Sequence, residues 1–303
     1  MCANHLDIGG VDGSILGNAL TSPPSCRSPK RETTSPAPFQ FTPTTNLLQS
    51  TSYACAGIGT DAFTPAAATQ PVFNEQDVRL SGDGLGLTPT ASIELLARLT
   101  DENAIASDSY SNGGVVEELE QAFAAALGKE RAVFMPTGTL ANHLAVRMLA
   151  GGPSRAIVQA ESHLYNDTGD TIQTLSDIQL VPLAFGRATF TLEDVRALVD
   201  RTASGRVATP VSVISIESPV RRKSGEAFDE AEMDRITAFA RQEGIRTHLD
   251  GARIFLQAGF TGRSVADYAR SFDTVYVSLY KYFNAPSGAI LAGPSALLDE
   301  MFH

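Results

Sequence analysis

From Val78 onward the chain alternates between segments whose apolar positions recur at helical spacing and short runs rich in β-branched residues. Thr90 to Thr100 follows a proline and is predicted as a helix. Val115 to Leu127 (VVEELEQAFAAAL) is predicted as a second, stopped by Gly128. Further helical patterns cover Leu192–Val199 and Asp229–Glu243. Between them lie predicted strands at Ala132–Met135, Ala156–Val158, Leu180–Val181, Val211–Ile216, Thr247–Leu249 and Thr274–Ser278, with another apolar run at Ala289–Ala292. Strands alternating with helices of this length predict an α/β fold of three layers, a mainly parallel sheet with helices on both faces. Such sheets bind ligands beyond the carboxyl ends of their strands. The chain stops at Phe302-His303 inside a helical pattern that begins near Ala296, so the expectation is a large domain cut short, with a C-terminal small domain missing.

Residues 1–74 carry neither period. They hold eight of the sixteen prolines, are rich in Ser and Thr, and have no charged residue from Thr33 to Thr60. Such a segment cannot bury enough surface to offset its chain entropy, which predicts a disordered tail ahead of a folded domain at 75–303. The rival is a targeting segment with Arg27, Lys30 and Arg31 as its basic region. Thr60, Asp61 and Thr64 interrupt the apolar stretch that it would need.

Composition narrows the partners. A net charge of −11 and a pI near 4.9 argue against nucleic acid or an anionic membrane and leave a small-molecule substrate. No window reaches the roughly 18 uninterrupted apolar residues of a membrane helix, so a cytoplasmic location is expected. All three cysteines (Cys2, Cys26 and Cys55) precede the folded region, which therefore has no disulfide, thiolate metal site or cysteine nucleophile.

Candidate chemistry gathers at predicted strand ends. Lys281 lies just past the strand ending at Ser278 and before an Ala285-Pro-Ser-Gly288 turn. A lone lysine there is ordinarily surface decoration; its company is what raises it. Asp250, in Thr247-His-Leu-Asp250-Gly-Ala-Arg253, closes the preceding strand, where its bland role is a helix cap. Pro136-Thr-Gly138-Thr139 runs from a strand into a helix whose first amides suit a phosphate. It matches neither the Walker nor the dinucleotide pattern. His163, in Glu161-Ser-His163, follows a strand and could stack on a ring or relay a proton. His143 and His248 fall in apolar patterns and are expected to be packed. No histidine has the spacing of a metal site.

Together these segments resemble the threonine aldolase and β-eliminating lyase family of fold-type I pyridoxal-phosphate enzymes, over roughly Leu80 to Phe302. Asp250-Gly-Ala-Arg253 is similar to the family's pyridine-binding segment. Ser278-Leu-Tyr-Lys281 is similar to its Schiff-base lysine segment, and Pro136 to Asn142 to its phosphate turn. The resemblance implies that pyridoxal 5'-phosphate is held by Lys281, Asp250, Gly138, Thr139, Ser278 and a stacking His163. It further implies that Arg253 binds the substrate carboxylate, with Tyr110 and Ser81 beside the substrate. The implied assembly is a homodimer or homotetramer. The implied activity is cleavage of the Cα–Cβ bond of a small β-hydroxy amino acid to glycine and an aldehyde, with Lys281 and His163 as the catalytic residues. β-Elimination from a β-substituted amino acid, and a non-catalytic remnant of the fold, are the alternatives. The chain departs from the family at Glu217-Ser-Pro-Val-Arg-Arg222, where Glu-Asn-Thr-His-Asn is usual. It also departs at Val207-Ala-Thr-Pro210, which lacks the histidine found near the substrate hydroxyl in threonine aldolases.

Overall fold

A computed structural model describes residues 87–302 apart from 103, 104 and 106. Ser81 and the segment 1–74 lie outside the described residues. In chain order the elements are α1 (Pro89–Glu102), α2 (Gly114–Leu127), β1 (Arg131–Met135), α3 (Gly138–Ala150), β2 (Ser154–Gln159), α4 (His163–Asn166), α5 (Thr171–Ser176) and β3 (Ile178–Leu183). They continue with α6 (Leu192–Ala203), β4 (Val211–Glu217), α7 (Glu230–Glu243), β5 (Arg246–Asp250), α8 (Ile254–Thr261), α9 (Val265–Ala269), β6 (Thr274–Ser278), α10 (Leu279–Tyr282), β7 (Ala289–Gly293) and α11 (Ser295–Leu298). Every strand and helix anticipated above is present. Local chemistry sets several boundaries. Gly128 ends α2 in the left-handed conformation, and the amides of Gly128 and Lys129 close on the carbonyls of Ala125 and Ala124. Thr191 and Asp194 form a reciprocal capping box that starts α6.

The seven strands form one sheet in the order β1-β7-β6-β5-β4-β2-β3. β2 through β6 pair in parallel, whereas β7 is antiparallel to both its neighbours, β6 and β1. The reversal follows from a short return: after β6, the single turn of α10 and the Pro286-Ser287-Gly288 bend lead straight back into β7. Gly288 has φ +104, and a Cβ there would collide with the Phe134 ring, so glycine is required at that bend.

Strand residues alternate between the two faces of the sheet. One face supplies Ala132, Ile157, Ile214, Ile216, Leu249, Val275, Val277 and Ile290 to an apolar core shared with α2, α6, α7, α8 and α9. On the other face α3 lies across the sheet, packing Ala141, Ala145 and Val146 against Val133, Leu291, Ala156 and Val213. That second face is the unusual one. Where α3 crosses β5 and β6 it buries His248, Asp250, Thr274, Tyr276 and Ser278. The sheet is thus sealed on one side by hydrocarbon and carries a buried polar row on the other. Among the described residues no helix is long and apolar enough to cross a membrane.

Ile214, fully buried on the apolar face of β4, reports on this core. Truncation by Ile214→Ala should lower stability by about 2–5 kcal/mol, read as a shift in the urea midpoint with an unchanged slope.

Candidate active site

Three strands end side by side at the point where the polar row emerges. Glu217 closes β4, Asp250 closes β5, and Tyr276 sits on β6, paired in register as Glu217 with Asp250 and Asp250 with Tyr276. Asp250 is 3% exposed. Its Oδ2 accepts a hydrogen bond from Asn142 Nδ2 of α3 at 2.7 Å, and its Oδ1 accepts the Ala252 amide at 3.3 Å. A buried carboxylate with such partners has a structural cost that a simple helix cap does not carry. Its place at the carboxyl end of a parallel strand, where such sheets bind ligands, supplies a reason for it.

Lys281 lies on α10, just past the end of β6, and is only 6% exposed. Surface decoration is therefore ruled out, because lysine is almost never buried without a task. Its Nζ stands 6.0 Å from the centre of the Tyr276 ring and 5.3 Å from that of Tyr280. Ser278, the last residue of β6, is fully buried beneath it.

The turn at the start of α3 completes one wall. Thr137 caps the helix, its side chain accepting the Leu140 amide at 3.2 Å. The amides of Gly138 and Thr139 make no hydrogen bond among the described residues, which leaves two aligned donors at the positive end of a 13-residue helix. A Cβ on Gly138 would overlap the Tyr276 hydroxyl, so this phenol oxygen rests directly against the turn. Burial, followed by the Asp250 carboxylate, raises the Tyr276 pKa and keeps the phenol a neutral donor.

The opposite wall is built from β2 and β4. Gln159 ties their ends together, donating to Glu217 O at 2.7 Å and accepting the Glu217 amide at 2.9 Å. The Glu217 carboxylate in turn accepts the amides of His163 (2.5 Å) and Arg221 (2.9 Å), which fixes the first residue of α4. Burial raises the Glu217 pKa, and the neighbouring Asp250 carboxylate raises it further. The two amides and the nearby Arg253 charge act the other way. His163 Nδ1 is buried with no hydrogen-bond partner among the described residues, an orphaned polar atom on a residue whose amide is held by Glu217. Arg253 stands at the head of α8, close enough to act electrostatically on both Glu217 and Tyr276. Tyr110 is 97% exposed on the turn between α1 and α2 and is not among the side chains gathered around Lys281.

The fold thus brings together Lys281, Asp250, His163, Gly138, Thr139, Ser278 and Arg253. It adds four residues to which the sequence assigned no role in the site: Glu217, Asn142, His248 and Tyr276. Glu217 left a signal, an acidic residue closing a strand just as Asp250 does. The donor set fits a phosphorylated aldehyde with a basic ring nitrogen: a buried amine for the aldehyde, a buried carboxylate for the nitrogen and helix-end amides for the phosphate.

Six co-directional strands and one reversed strand, in this order and with the ligand groups at their carboxyl ends, make the large-domain architecture of fold-type I pyridoxal-phosphate enzymes. The chain belongs to the β-eliminating lyase family, whose sequence profile matches residues 90–303. It is 29% identical over 218 residues to the low specificity L-threonine aldolase of Saccharomyces cerevisiae, covering 71% of this chain and 55% of that protein. It is 30% identical over 179 residues to the alanine racemase TOXG of Cochliobolus carbonum, covering 57% of this chain and 44% of that one. A Listeria monocytogenes protein crystallised as a candidate L-allo-threonine aldolase superposes with a TM-score of 0.62 at 33% identity, covering 72% of this chain and 59% of that one. The chain spans about half the length of the curated relatives that it matches.

Glu217 gives the site a pH signature. Its pKa, usually 4.5, is pushed up to about 7 in the folded state, which therefore holds that proton more tightly than the unfolded chain. The stability that this confers is complete below about pH 4.5 and is lost as pH rises through about 7, a change of about 3 kcal/mol. Glu217→Gln should flatten the fall in stability between those pH values, as followed by denaturant titrations at several pH values.

Proposed function

We propose that this chain is the cofactor-binding domain of a pyridoxal-phosphate-dependent lyase that cleaves the Cα–Cβ bond of a small β-hydroxy amino acid, giving glycine and an aldehyde. The observation that carries this reading is the pairing of a buried lysine with a buried aspartate at the carboxyl ends of adjacent strands, β6 and β5. When bound, pyridoxal phosphate supplies an aldehyde that condenses with amines and a protonated ring that withdraws electrons from the substrate Cα.

The protein's share follows from its own groups. Lys281 would hold the cofactor through its buried amine. Asp250 would pair with the ring nitrogen, its carboxylate favouring the protonated form. The Gly138 and Thr139 amides take the phosphate at the start of α3, with the Ser278 hydroxyl at the foot of the lysine turn. His163 would pack against the cofactor, the hydrogen bond from its amide to Glu217 fixing the residue in place. Arg253 offers a planar, bidentate grip for the substrate carboxylate. That grip would orient the substrate and so help select the bond that breaks. Val207 to Pro210 contains no histidine. His163, or a water that it orients, is therefore assigned to take the proton from the substrate hydroxyl.

The fold subunit is proposed to act as a homodimer or larger homo-oligomer. In support, α1 carries an exposed apolar stripe of Ile93, Leu96 and Leu99, which a second copy would cover. Tyr110 and Ser81, from the same N-terminal part of the chain, are proposed to reach the substrate in that assembly.

Two measurements test the reading. Wild type mixed with pyridoxal phosphate should develop the visible absorption of lysine-bound cofactor, and Lys281→Ala should abolish it. Product analysis with threonine should then give glycine and acetaldehyde. Pyruvate from a β-substituted amino acid would place the chain with the eliminating lyases, and an inverted α-carbon with the racemase-like relatives. Bound cofactor with no turnover of any of these would mark a binding remnant.

A further inference from the structure

Behind Asp250 the hydrogen bonds continue through the sheet. Asn142 Nδ2 donates to Asp250 Oδ2 at 2.7 Å, Asn142 Oδ1 lies 2.8 Å from His248 Nε2, and His248 Nδ1 lies 2.8 Å from Thr274 Oγ1. For a neutral imidazole, donor accounting fixes every proton in this row. A carboxylate only accepts, so Asn142 must turn its amide nitrogen toward Asp250 and its oxygen toward His248. That oxygen also only accepts, so His248 Nε2 carries the ring hydrogen. His248 Nδ1 is then the acceptor for the Thr274 hydroxyl. One tautomer and one amide orientation satisfy all four side chains, and the reverse orientation would set two acceptors against each other.

The surroundings hold the row in that state. His248, Asn142 and Thr274 are all fully buried. Burial lowers the His248 pKa to about 4, so the imidazole stays neutral although Asp250 lies near it. A fixed neutral donor chain therefore ends on one oxygen of Asp250. The other oxygen, Oδ1, has among the described residues only the long contact to the Ala252 amide.

We propose that His248 is a positioning residue. Through Asn142 it locks the Asp250 carboxylate in one orientation, with Oδ2 engaged by the protein and Oδ1 presented to the cofactor's ring nitrogen. Thr274 donates to the Nδ1 left as an acceptor, satisfying the tautomer that Asn142 imposes. This inference rests on the pyridoxal-phosphate reading of the site, and it assigns the specificity for a ring bearing a protonated nitrogen to residues that never touch the ring.

The test compares binding of pyridoxal phosphate with binding of its 1-deaza analogue, in which a C–H replaces the ring nitrogen. Binding is followed by the absorption and fluorescence of the full chain titrated with each compound. His248→Phe removes the donor to Asn142 and should weaken pyridoxal phosphate about tenfold while leaving the deaza analogue unchanged. His248→Gln restores an N–H near Nε2 and should bind both compounds within about threefold of wild type. If the bulkier change perturbs folding, Thr274→Val serves as the near-isosteric variant. It leaves the buried Nδ1 without its donor and loosens the ring, and should weaken pyridoxal phosphate alone, by about three- to fivefold. Equal losses for the two compounds in these variants would mean a purely structural role and would overturn the proposal, as would pyridoxal phosphate bound with wild-type affinity in His248→Phe and Thr274→Val. A wild-type chain that binds the deaza analogue as tightly as pyridoxal phosphate would also overturn it while leaving the cofactor site standing. A wild-type chain that binds neither compound would overturn the cofactor reading and this inference together.

Discussion

A carboxylate buried at the end of a central strand must be solvated by the protein itself, and this requirement organises the face of the sheet beneath α3. Asp250 is met by Asn142 from the helix, Asn142 by His248 one pleat back on the same strand, and His248 by Thr274 on the next strand. Each partner is there because the previous one would otherwise be left with an unsatisfied polar atom in a low-dielectric interior. The opposite face of the same strands faces no such demand and is packed with aliphatic side chains. One layer of the protein therefore supplies stability through burial of hydrocarbon, while the other spends part of that stability on holding charge and hydrogen-bond donors in place.

Strand register carries the arrangement from core to cleft. Glu217, Asp250 and Tyr276 stand in one row because β4, β5 and β6 run parallel and in step. A slip of one residue in any of them would turn its functional side chain into the aliphatic core. Placing two carboxylates side by side has its own consequence. The Glu217 proton is held more tightly than an isolated glutamate would hold it, and two backbone amides offset part of that strain by anchoring on the same carboxylate. In this way the carboxylate row at the strand ends also fixes the first residue of α4, His163.

Much of the architecture was legible along the chain, for identifiable reasons. Helix α2 declared itself by its apolar spacing and Gly128, and β4 to β6 by β-branched runs, because period and stop signals are local properties. Lys281, Asp250 and the Gly138-Thr139 turn were legible because each lies at a boundary between elements, where α/β sheets gather their ligands. His248 was expected to be packed, and it is. Its burial, however, says nothing by itself about the polar atoms at both ends of the ring, which need partners 26 and 106 residues away. Tyr276 sits in an apolar run and gave no hint that its hydroxyl rests against Gly138, on a helix that precedes it by more than a hundred residues.

The amino-acid sequence by itself determined the alternating elements, their order, the strand-end lysine and aspartate, and the turn that opens α3. Those depend on side-chain period, backbone preference and capping, all of which act over a few residues. Only the tertiary structure decided that Lys281 is buried, that β7 returns antiparallel beside it, and that Asn142, His248 and Thr274 join into one hydrogen-bonded row ending on Asp250. These are matters of which atoms meet across the sheet and beneath α3. Meeting is governed by packing and by the need to pair every buried polar group, and neither is written in any single stretch of the chain.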